Sequence, residues 1–419
     1  MTKEDRLKKR HSAEKRFKFY GLASIFFALL FVLILVNNIF SKGSSAFMKT
    51  AIKAEIFFDP ELLEIKNGAS KDQILDADFY DITIESLLRV YPSKDLDEEN
   101  DLIDLFTTDA EIEIKKAFLE DNTLVGKKII LEITASDDID QLHKGNYPRD
   151  LPEDRRRISN IQLKIYDNLV ENKKIIKNFN NYFFNNGDSR DPELAGIGGA
   201  LVGSFYSILI CLLLAFPVAV LASIYLEEFA PKNKFTELIE VNIANLAAVP
   251  SIVFGLLGLG ILLNVFGFPR STPLVGGTVL ALMTLPTIII ACRASLKAVP
   301  PSIKEGALAM GASKMQAVFH HQVPLALPGT LTGTIIGLAQ ALGETAPLIM
   351  IGMIAFIPNI PTGFTEPSAA LPVQIYLWVE SAERGFQEKT AAAIMMILIF
   401  LFLMNAIAVF LRSRFERKW

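Results

Sequence analysis

Glu344 is the residue whose type and position point most directly to chemistry, because its ionisable side chain lies within a long apolar stretch. At helical spacing it shares one stripe with Gly333, Gly337 and Gln340, and Thr345 follows it. An ionisable group in a membrane segment is costly and usually faces a bundle interior or a water-filled path. Glycines four residues apart let a neighbouring helix approach closely. We therefore expect Glu344, Gln340 and Thr345 to line a substrate path, and the glycines to serve packing.

Two arginines could supply positive charge to an anionic substrate. Arg293 lies near the end of an apolar segment, where a guanidinium could bind an oxyanion in a fork or pair with Glu344. An arginine that reaches from the segment to the membrane surface fits that position equally well. Arg270 lies in a loop where it could attract an anion, although an ordinary loop cation fits there too.

The sequence offers little for other kinds of chemistry. It has no Gly-x4-Gly-Lys-[Ser/Thr] phosphate loop, so we expect any ATP and magnesium to be held by a separate subunit and the chain itself to bind no cofactor. Cys211 and Cys292 fall inside apolar runs, which predicts buried free thiols and no metal cluster. Asp137-Asp138-x-Asp140 lacks the glycine and distal glutamate of an EF-hand, so we expect a solvated acidic turn.

Composition places the chain among membrane proteins. Its 419 residues are 51% hydrophobic, and 30 of them are phenylalanine. The mean hydropathy is +0.34, and ordinary soluble domains are less apolar than this. The net charge of -4 combines an acidic segment at residues 41–195 with basic ends. An acidic polar segment excludes general binding to nucleic acid.

Apolar runs predict six membrane crossings. Residues 20–40 form an uncharged run, long enough to span the bilayer, after a basic stretch from Lys3 to Lys18. Its length favours a retained anchor over a cleaved signal peptide. Further apolar segments lie at about 196–226, 243–266, 274–297, 328–354 and 389–411.

Basic residues in short loops set the predicted orientation. We expect the tails at residues 1–19 and 413–419 and the loops at 227–242 and 298–327 to be cytoplasmic. Residues 41–195 are then a periplasmic soluble domain of unknown function, with strands at Lys53–Phe58 and Lys127–Thr134 and a helix at Leu163–Phe184. The predicted fold class is an all-α polytopic membrane protein with six transmembrane helices, plus a mixed α/β soluble domain inserted after the first helix.

A short motif between the fourth and fifth apolar segments resembles the coupling helix of ABC-importer permeases. The matching positions are Glu305, Ala307, Gly311 and Pro324, while Gly306 stands where the family has alanine. The resemblance implies a helix at about 300–316 that contacts a cytoplasmic ATPase through these five residues.

Residues 196–412 resemble the A-type permease subunit of phosphate-specific ABC importers. The blocks Ala248-Val249-Pro250-Ser251 and Gly343-Glu344-Thr345-Ala346-Pro347 are the most specific matches. The resemblance implies the type I importer permease fold with five transmembrane helices in this core, and a subunit that performs no chemistry on its substrate. It also implies the bacterial inner membrane, with a C-type permease subunit, two copies of a cytoplasmic ATPase subunit, a periplasmic phosphate-binding protein and membrane lipid as partners. Gln340 replaces an arginine found in many relatives.

Three alternatives remain open from the sequence. The permease could carry sulfate, molybdate or another tetrahedral oxyanion. An ion-coupled transporter could use Glu344 as a proton relay, although such a protein has no need of a coupling helix. An envelope sensor could use the acidic domain as its active part.

Overall fold

The computed structural model describes residues 3–63, 71–93 and 95–415. Its first part contains a long helix, a three-stranded sheet and eight shorter helices. These are α1 (Lys3–Gly43), β1 (Met48–Phe57), α2 (Pro60–Leu63), α3 (Lys71–Asp76), α4 (Tyr80–Leu88), α5 (Leu96–Ile103), α6 (Ala110–Glu120), β2 (Lys128–Thr134), α7 (Asp137–Lys144), α8 (Asn160–Glu171), β3 (Ile175–Phe179) and α9 (Asn181–Asn185).

The second part is helical. Its elements are α10 (Gly198–Ile224), α11 (Lys234–Leu246), α12 (Ser251–Leu257), α13 (Pro273–Lys297), α14 (Pro301–Ala309), α15 (Lys314–Gln316), α16 (Val323–Gly343), α17 (Ala346–Met350), α18 (Leu371–Glu380) and α19 (Gly385–Phe415). Three π-helical stretches extend or join them, at Tyr225–Phe229, Gly258–Leu263 and Ala317–Gln322.

Five helices in the described residues are long and apolar enough to cross a membrane. They span Arg10–Phe47, Gly198–Phe229, Pro273–Lys297, Lys314–Gly343 and Gly385–Arg414. The buried thiols of Cys211 and Cys292 lie on two of them, as predicted. On α1 the apolar side chains point outward along the whole span, as expected for a surface that lipid covers.

The crossing predicted at 243–266 is not one straight helix. The segments Lys234–Leu246 and Ser251–Leu263 meet at 104°, as a broken span or a re-entrant loop. Pro250 lies in the break, where its ring and missing N–H prevent a continuous helix. The second segment has a helical length of about 20 Å, which is shorter than the hydrocarbon core.

The segment predicted as one crossing at 328–354 is also divided. α16 ends at Gly343, Glu344 adopts an extended conformation (φ -77, ψ 127), and α17 starts at Ala346. Glu344 therefore does not continue the helical stripe of Gly333, Gly337 and Gln340. Pro347 has no N–H to donate, which favours the start of a new helix over continuation of the old one.

The soluble domain (residues 44–195) has an antiparallel sheet in the order β2-β1-β3. Lys53 pairs with Glu132 and Thr50 with Lys177. The predicted strands at Lys53–Phe58 and Lys127–Thr134 correspond to β1 and β2. One sheet face is covered by helices, and a core that includes Phe58, Phe79 and Phe118 fills the space between them.

The prediction of one helix over Leu163–Phe184 was wrong for the second half of this range. α8 ends at Glu171, Lys173 takes a positive φ of 53°, and β3 begins at Ile175. Ladder hydrogen bonds to β1 outweigh local helical periodicity, because they satisfy the backbone of an otherwise unpaired segment.

The acidic turn at residues 137–140 is not a solvated turn. It forms the first turn of α7, and Asp140 is only 7% exposed. The backbone N–H of Thr50 donates to Asp140 Oδ1 at 2.8 Å, and the Lys144 ammonium lies 2.6 Å from Asp140 Oδ2. The first contact joins α7 to the central strand β1, and the second lies within α7.

Candidate functional site

The segment that resembles a coupling helix forms an exposed helix and a tight turn. α14 begins at Pro301, and none of its residues is buried. Gly311 ends the segment with φ +90°, a conformation that only glycine adopts without strain. Glu305 and Gly306 are exposed, and a Cβ at Gly306 would meet nothing within 4 Å. The outer face of this helix is therefore free of contacts within the described chain.

A capped turn and a π-helical stretch connect α14 to α16. Ser313 and Gln316 form a reciprocal capping box at the start of α15. The stretch Ala317–Gln322 then leads directly into α16, with Pro324 as the second residue of α16. The exposed helix α14 is thus connected to the membrane helix α16 by a short capped turn and a π-helical stretch.

Glu228, at the end of α10, bonds to residues on both sides of the link between α14 and α16. Its carboxylate accepts hydrogen bonds from Lys304 on α14 and from Gln322 Nε2, the latter at 2.5 Å. The Glu228 side chain is only 6% exposed, so its charge depends on these two donors. Ile303 adds an apolar contact to the buried cluster that contains Ile224. Any displacement of α14 must move or break these contacts.

Arg293 is held by two carboxylates on the same side of the molecule. Its Nε lies 3.3 Å from Glu227 Oε2 and its Nη2 lies 2.8 Å from Glu240 Oε1. Lys297 also approaches Glu227, at 3.6 Å. The arginine therefore joins α13 to the end of α10 and to α11. It borders an open cavity of about 760 Å³ whose walls carry charges of both signs.

Of the alternatives left open for Arg293, a pair with Glu344 is not the one that the structure shows. α13 and α16 run antiparallel, because a Cβ at Gly329 would meet Ser295 and one at Gly333 would lie 2.2 Å from that of Ala291. In this register Arg293 lies level with residues near 331. Glu344 follows the end of α16, about 13 residues farther along the chain, which corresponds to roughly 20 Å of helix. The predicted packing role of the glycines, in contrast, is confirmed.

The predicted path residues lie on and beyond the end of α16. Gln340 is exposed, and Glu344 and Thr345 are half-buried. Glu344 forms no ion pair within 4 Å in the described part of the chain, and its backbone N–H donates to the carbonyl of Ala341. A half-buried carboxylate at a helix break is available to a group outside this chain.

The helix α12, which starts at the last residue of the Ala248–Ser251 block, meets the Gly343–Pro347 block at this break. A Cβ on Gly255, in α12, would lie 2.7 Å from the Cα of Pro347 in α17. The short helix α17 therefore packs directly against α12, and glycine is required for that approach. Sequence spacing alone contained no sign of this contact.

Arg270 lies away from the clusters around Glu228 and Arg293. Arg270 is exposed, next to Ser271, whose hydroxyl donates to the Gly352 carbonyl at 2.5 Å. His320 and His321 are exposed in the π-helical stretch before α16. The structure therefore does not bring Arg270, Arg293 and Glu344 together.

The sequence predictions missed the residues that organise the α14 side of the molecule. These are Glu227, Glu228, Glu240, Lys304 and Gln322. The adjacent pair Glu227-Glu228 at the end of an apolar run was a usable signal, since such charges require partners.

Comparison with known proteins assigns the two parts to different families. Residues 202–418, more than half of the chain, match the binding-protein-dependent transport system inner membrane component. Residues 4–153 match a domain of unknown function, DUF3333. The second match includes α1 and most of the soluble domain.

Three relatives are each similar to about half of this chain. A probable ABC transporter permease protein YqgI of Bacillus subtilis is 30% identical over 43% of this chain and 65% of its own length. A probable phosphate transport system permease protein PstA of Methanocaldococcus jannaschii is 32% identical, over 53% of this chain and 76% of the relative. The phosphate transport system permease protein PstA of Haemophilus influenzae is 30% identical, over 54% and 78%. The chain thus spans slightly less than two thirds of the first relative and about three quarters of the other two. With more than half of its residues matched, this chain belongs to the family of binding-protein-dependent transport system inner membrane components.

Proposed function

We propose that this chain is a membrane permease subunit of an ATP-driven importer of inorganic phosphate. The observation that supports it most strongly is the 32% identity to a probable phosphate transport system permease over 76% of that relative's length. The Gly343–Pro347 block, and its contact with α12 through Gly255, lie within the matched membrane region. The subunit binds no ATP. ATP and magnesium act on two copies of a separate cytoplasmic ATPase subunit.

Coupling starts at the exposed helix α14. Its free outer face, with Glu305 and Gly306, contacts the ATPase, and Gly311 sets the direction of the chain after it. Movement of α14 passes through Lys304 and Glu228 to α10, and through the π-helical stretch to α16. α16 carries the movement along its length to Glu344. Nucleotide-driven displacement on one side of the membrane thereby reaches the break between α16 and α17.

The substrate path runs along the face of α16 and α17 that this chain leaves open. Gln340, Glu344 and Thr345 line it, opposite a C-type permease subunit. A carboxylate repels phosphate, so Glu344 pairs with a cation from the partner subunit. Arg270 attracts the anion at the far end of the path. Arg293 does not contact phosphate while Glu227 and Glu240 hold it.

In this proposal the chain crosses a bacterial inner membrane six times, with the bent pair α11–α12 counted as one broken span. Both termini and α14 are cytoplasmic. The soluble domain is then periplasmic, on the side where a phosphate-binding protein delivers its substrate. The basic residues that precede the first span support this orientation.

The transport assignment is tested by reconstitution. The chain is assembled in proteoliposomes with its C-type permease, ATPase and binding-protein partners, and ATP-driven uptake of radiolabelled phosphate is measured. We expect excess unlabelled phosphate to suppress uptake, and excess sulfate or molybdate to leave it unchanged. Strong inhibition by sulfate or molybdate would assign another oxyanion. Uptake driven by an ion gradient without ATP would exclude an ABC importer.

The orientation is tested by labelling single cysteines with a membrane-impermeant maleimide. Glu171→Cys, at an exposed position of the soluble domain, should react from the periplasmic side. Ser413→Cys, exposed near the end of α19, should react only after permeabilisation. The buried native thiols give little background. The opposite pattern would invert the proposed topology.

A further inference from the structure

The transport proposal gives no role to the soluble domain, yet this domain is joined to the membrane part by a buried ionic contact. The Lys144 ammonium, at the end of α7, lies 2.6 Å from Asp140 Oδ2 and 2.6 Å from Glu388 Oε1 on α19. All three side chains are less than 10% exposed. One cation of the soluble domain therefore satisfies a buried carboxylate of the last membrane helix.

Further polar contacts surround this pair. Asp137 Oδ2 accepts a hydrogen bond from the backbone N–H of Gly385, the first residue of α19, at 3.1 Å. A Cβ on Gly385 would lie 1.9 Å from the other oxygen of Asp137, so glycine is needed for this approach. Lys389 Nζ donates to the carbonyl of Ala195 at 2.5 Å. The first turn of α19 is thus bonded to the soluble domain at several points.

The same domain is also continuous with the first membrane helix. α1 ends at Gly43, and β1, the central strand of the sheet, begins at Met48 after four intervening residues. A Cβ on Gly43 would lie 2.7 Å from the backbone nitrogen of Ala392, so the end of α1 lies directly on α19. Elsewhere the apolar span of α1 has almost no buried surface. The end of α1 that packs closely against α19 is therefore the end that leads into the soluble domain.

We propose that the soluble domain is a clamp that fixes the adjoining ends of α1 and α19 to each other, and that Lys144 is the residue that locks it. The domain is a rigid part of the permease and not an independently moving module. A displacement of α7 from α19 separates Lys144, which stays beside Asp140 on α7, from Glu388. Glu388 then lacks its cation, which is strongly unfavourable for a carboxylate that is not yet exposed to water. The ionic contact therefore selects one docking orientation. The role requires no assumption about the transported substrate.

Hydrogen–deuterium exchange of the purified full-length protein tests the clamp. In Lys144→Met, we expect residues 385–392 and the end of α1 to exchange at least about tenfold faster, because breaking a buried ion pair lowers the free energy of local opening. Lys128→Met is the matched control. It removes a lysine of the same domain whose pair with Glu55 is 61% and 51% exposed, so exchange should not change.

A second variant separates docking from folding of the domain. Glu388→Gln removes the charge on the α19 side and leaves the Lys144–Asp140 pair in place, so β1 and α6 should stay protected while residues 385–392 exchange faster. If Lys144→Met speeds exchange throughout the soluble domain, that variant does not distinguish undocking from unfolding. Exchange at residues 385–392 in Glu388→Gln then tests the proposal. Wild-type exchange at residues 385–392 in Glu388→Gln, or in a folded Lys144→Met protein, overturns the proposal.

Discussion

Glu228, at the π-helical end of α10, pairs with Lys304 on the exposed helix α14 and leaves only 6% of its side chain exposed. A single carboxylate thereby joins the helix proposed to contact the ATPase to a membrane helix. The pair holds α14 by charge as well as by the apolar contact of Ile303.

Removing one partner of this pair should uncouple ATP hydrolysis from transport. In Lys304→Met, the nearly buried Glu228 loses its cation, at a cost of about 1–3 kcal/mol. We expect the variant to assemble with the ATPase as the wild type does. Phosphate uptake per ATP hydrolysed should fall by about tenfold, since a free-energy change of about 1.4 kcal/mol corresponds to a factor of ten. Lys234→Met, at an exposed position on α11, is the control. The double variant Glu228→Lys with Lys304→Glu should regain part of the coupling. An unchanged ratio in Lys304→Met would remove this pair from the coupling path.

The two glycines near α14 should respond differently to alanine. Gly311 has φ +90°, so alanine there is strained by about 1–2 kcal/mol and redirects the turn. Gly306 lies in the helix with open space around it, and alanine should stabilise α14 by about 0.5–1 kcal/mol. We expect Gly311→Ala to impair ATP-driven uptake with normal membrane insertion, and Gly306→Ala to keep it. Equal activity in both variants would show that the turn geometry is unimportant.

Packing between α13 and α16 depends on Gly333. A Cβ there would lie 2.2 Å from that of Ala291, so Gly333→Ala should lower stability by about 1–3 kcal/mol through overpacking. Gly343→Ala has open space and is the control. Combining Gly333→Ala with Ala291→Gly should restore most of the loss. Melting temperatures in detergent measure all three effects, and a fully stable Gly333→Ala would contradict the observed register.

Substitutions of Glu344 and of Arg293 should give different phenotypes. Glu344 loses no partner within the described chain when it becomes glutamine, so Glu344→Gln should keep wild-type stability and lower phosphate uptake. Arg293→Ala leaves Glu227 and Glu240 without their shared cation and should lower the melting temperature. Uptake and melting are measured on the same preparations. Wild-type uptake in Glu344→Gln would exclude this carboxylate from the path.

The docked soluble domain should show a pH dependence centred on Asp137. Burial raises the pKa of Asp137 from its ordinary value of 3.8 to about 7, and the neighbouring Asp140, Asp138 and Glu388 act in the same direction against the hydrogen bond from Gly385. Arg157 and Lys144 are cations of the same cluster, and Glu193, whose pKa burial also raises to about 7, adds further negative charge. A raised carboxyl pKa means that the folded state binds more protons than the unfolded state. The contribution of Asp137 to stability therefore decreases as pH rises from about 4 to about 7 and is constant above that.

Asp137→Asn should remove this dependence, since asparagine keeps the acceptor for Gly385 without the charge. We expect the variant to melt at a higher temperature than the wild type at pH 8, and the difference to shrink steadily as pH falls toward 4. Thermal melts of the full-length protein across this range provide the measurement. A difference that does not vary with pH would show that Asp137 remains ionised throughout.

The sequence by itself determined the features that depend on local composition. Apolar runs long enough for the bilayer located α1, α10, α13, α16 and α19, because transfer of apolar side chains depends little on their exact neighbours. The glycines at spacing four in α16 indicated close packing, and Gly311 indicated a special turn. Alternation of apolar residues located β2.

Only the tertiary structure decided which charged groups meet. Arg293 and Glu344 have opposite charges, but the antiparallel register of α13 and α16 separates them. Arg293 instead pairs with Glu227 and Glu240. The same holds for Asp140, which looked like part of a solvated turn and instead lies buried beside Lys144. Charge pairing acts over a few ångströms between segments far apart in the chain, so it depends on helix register and domain docking. Neither is encoded in the spacing of residues along one segment.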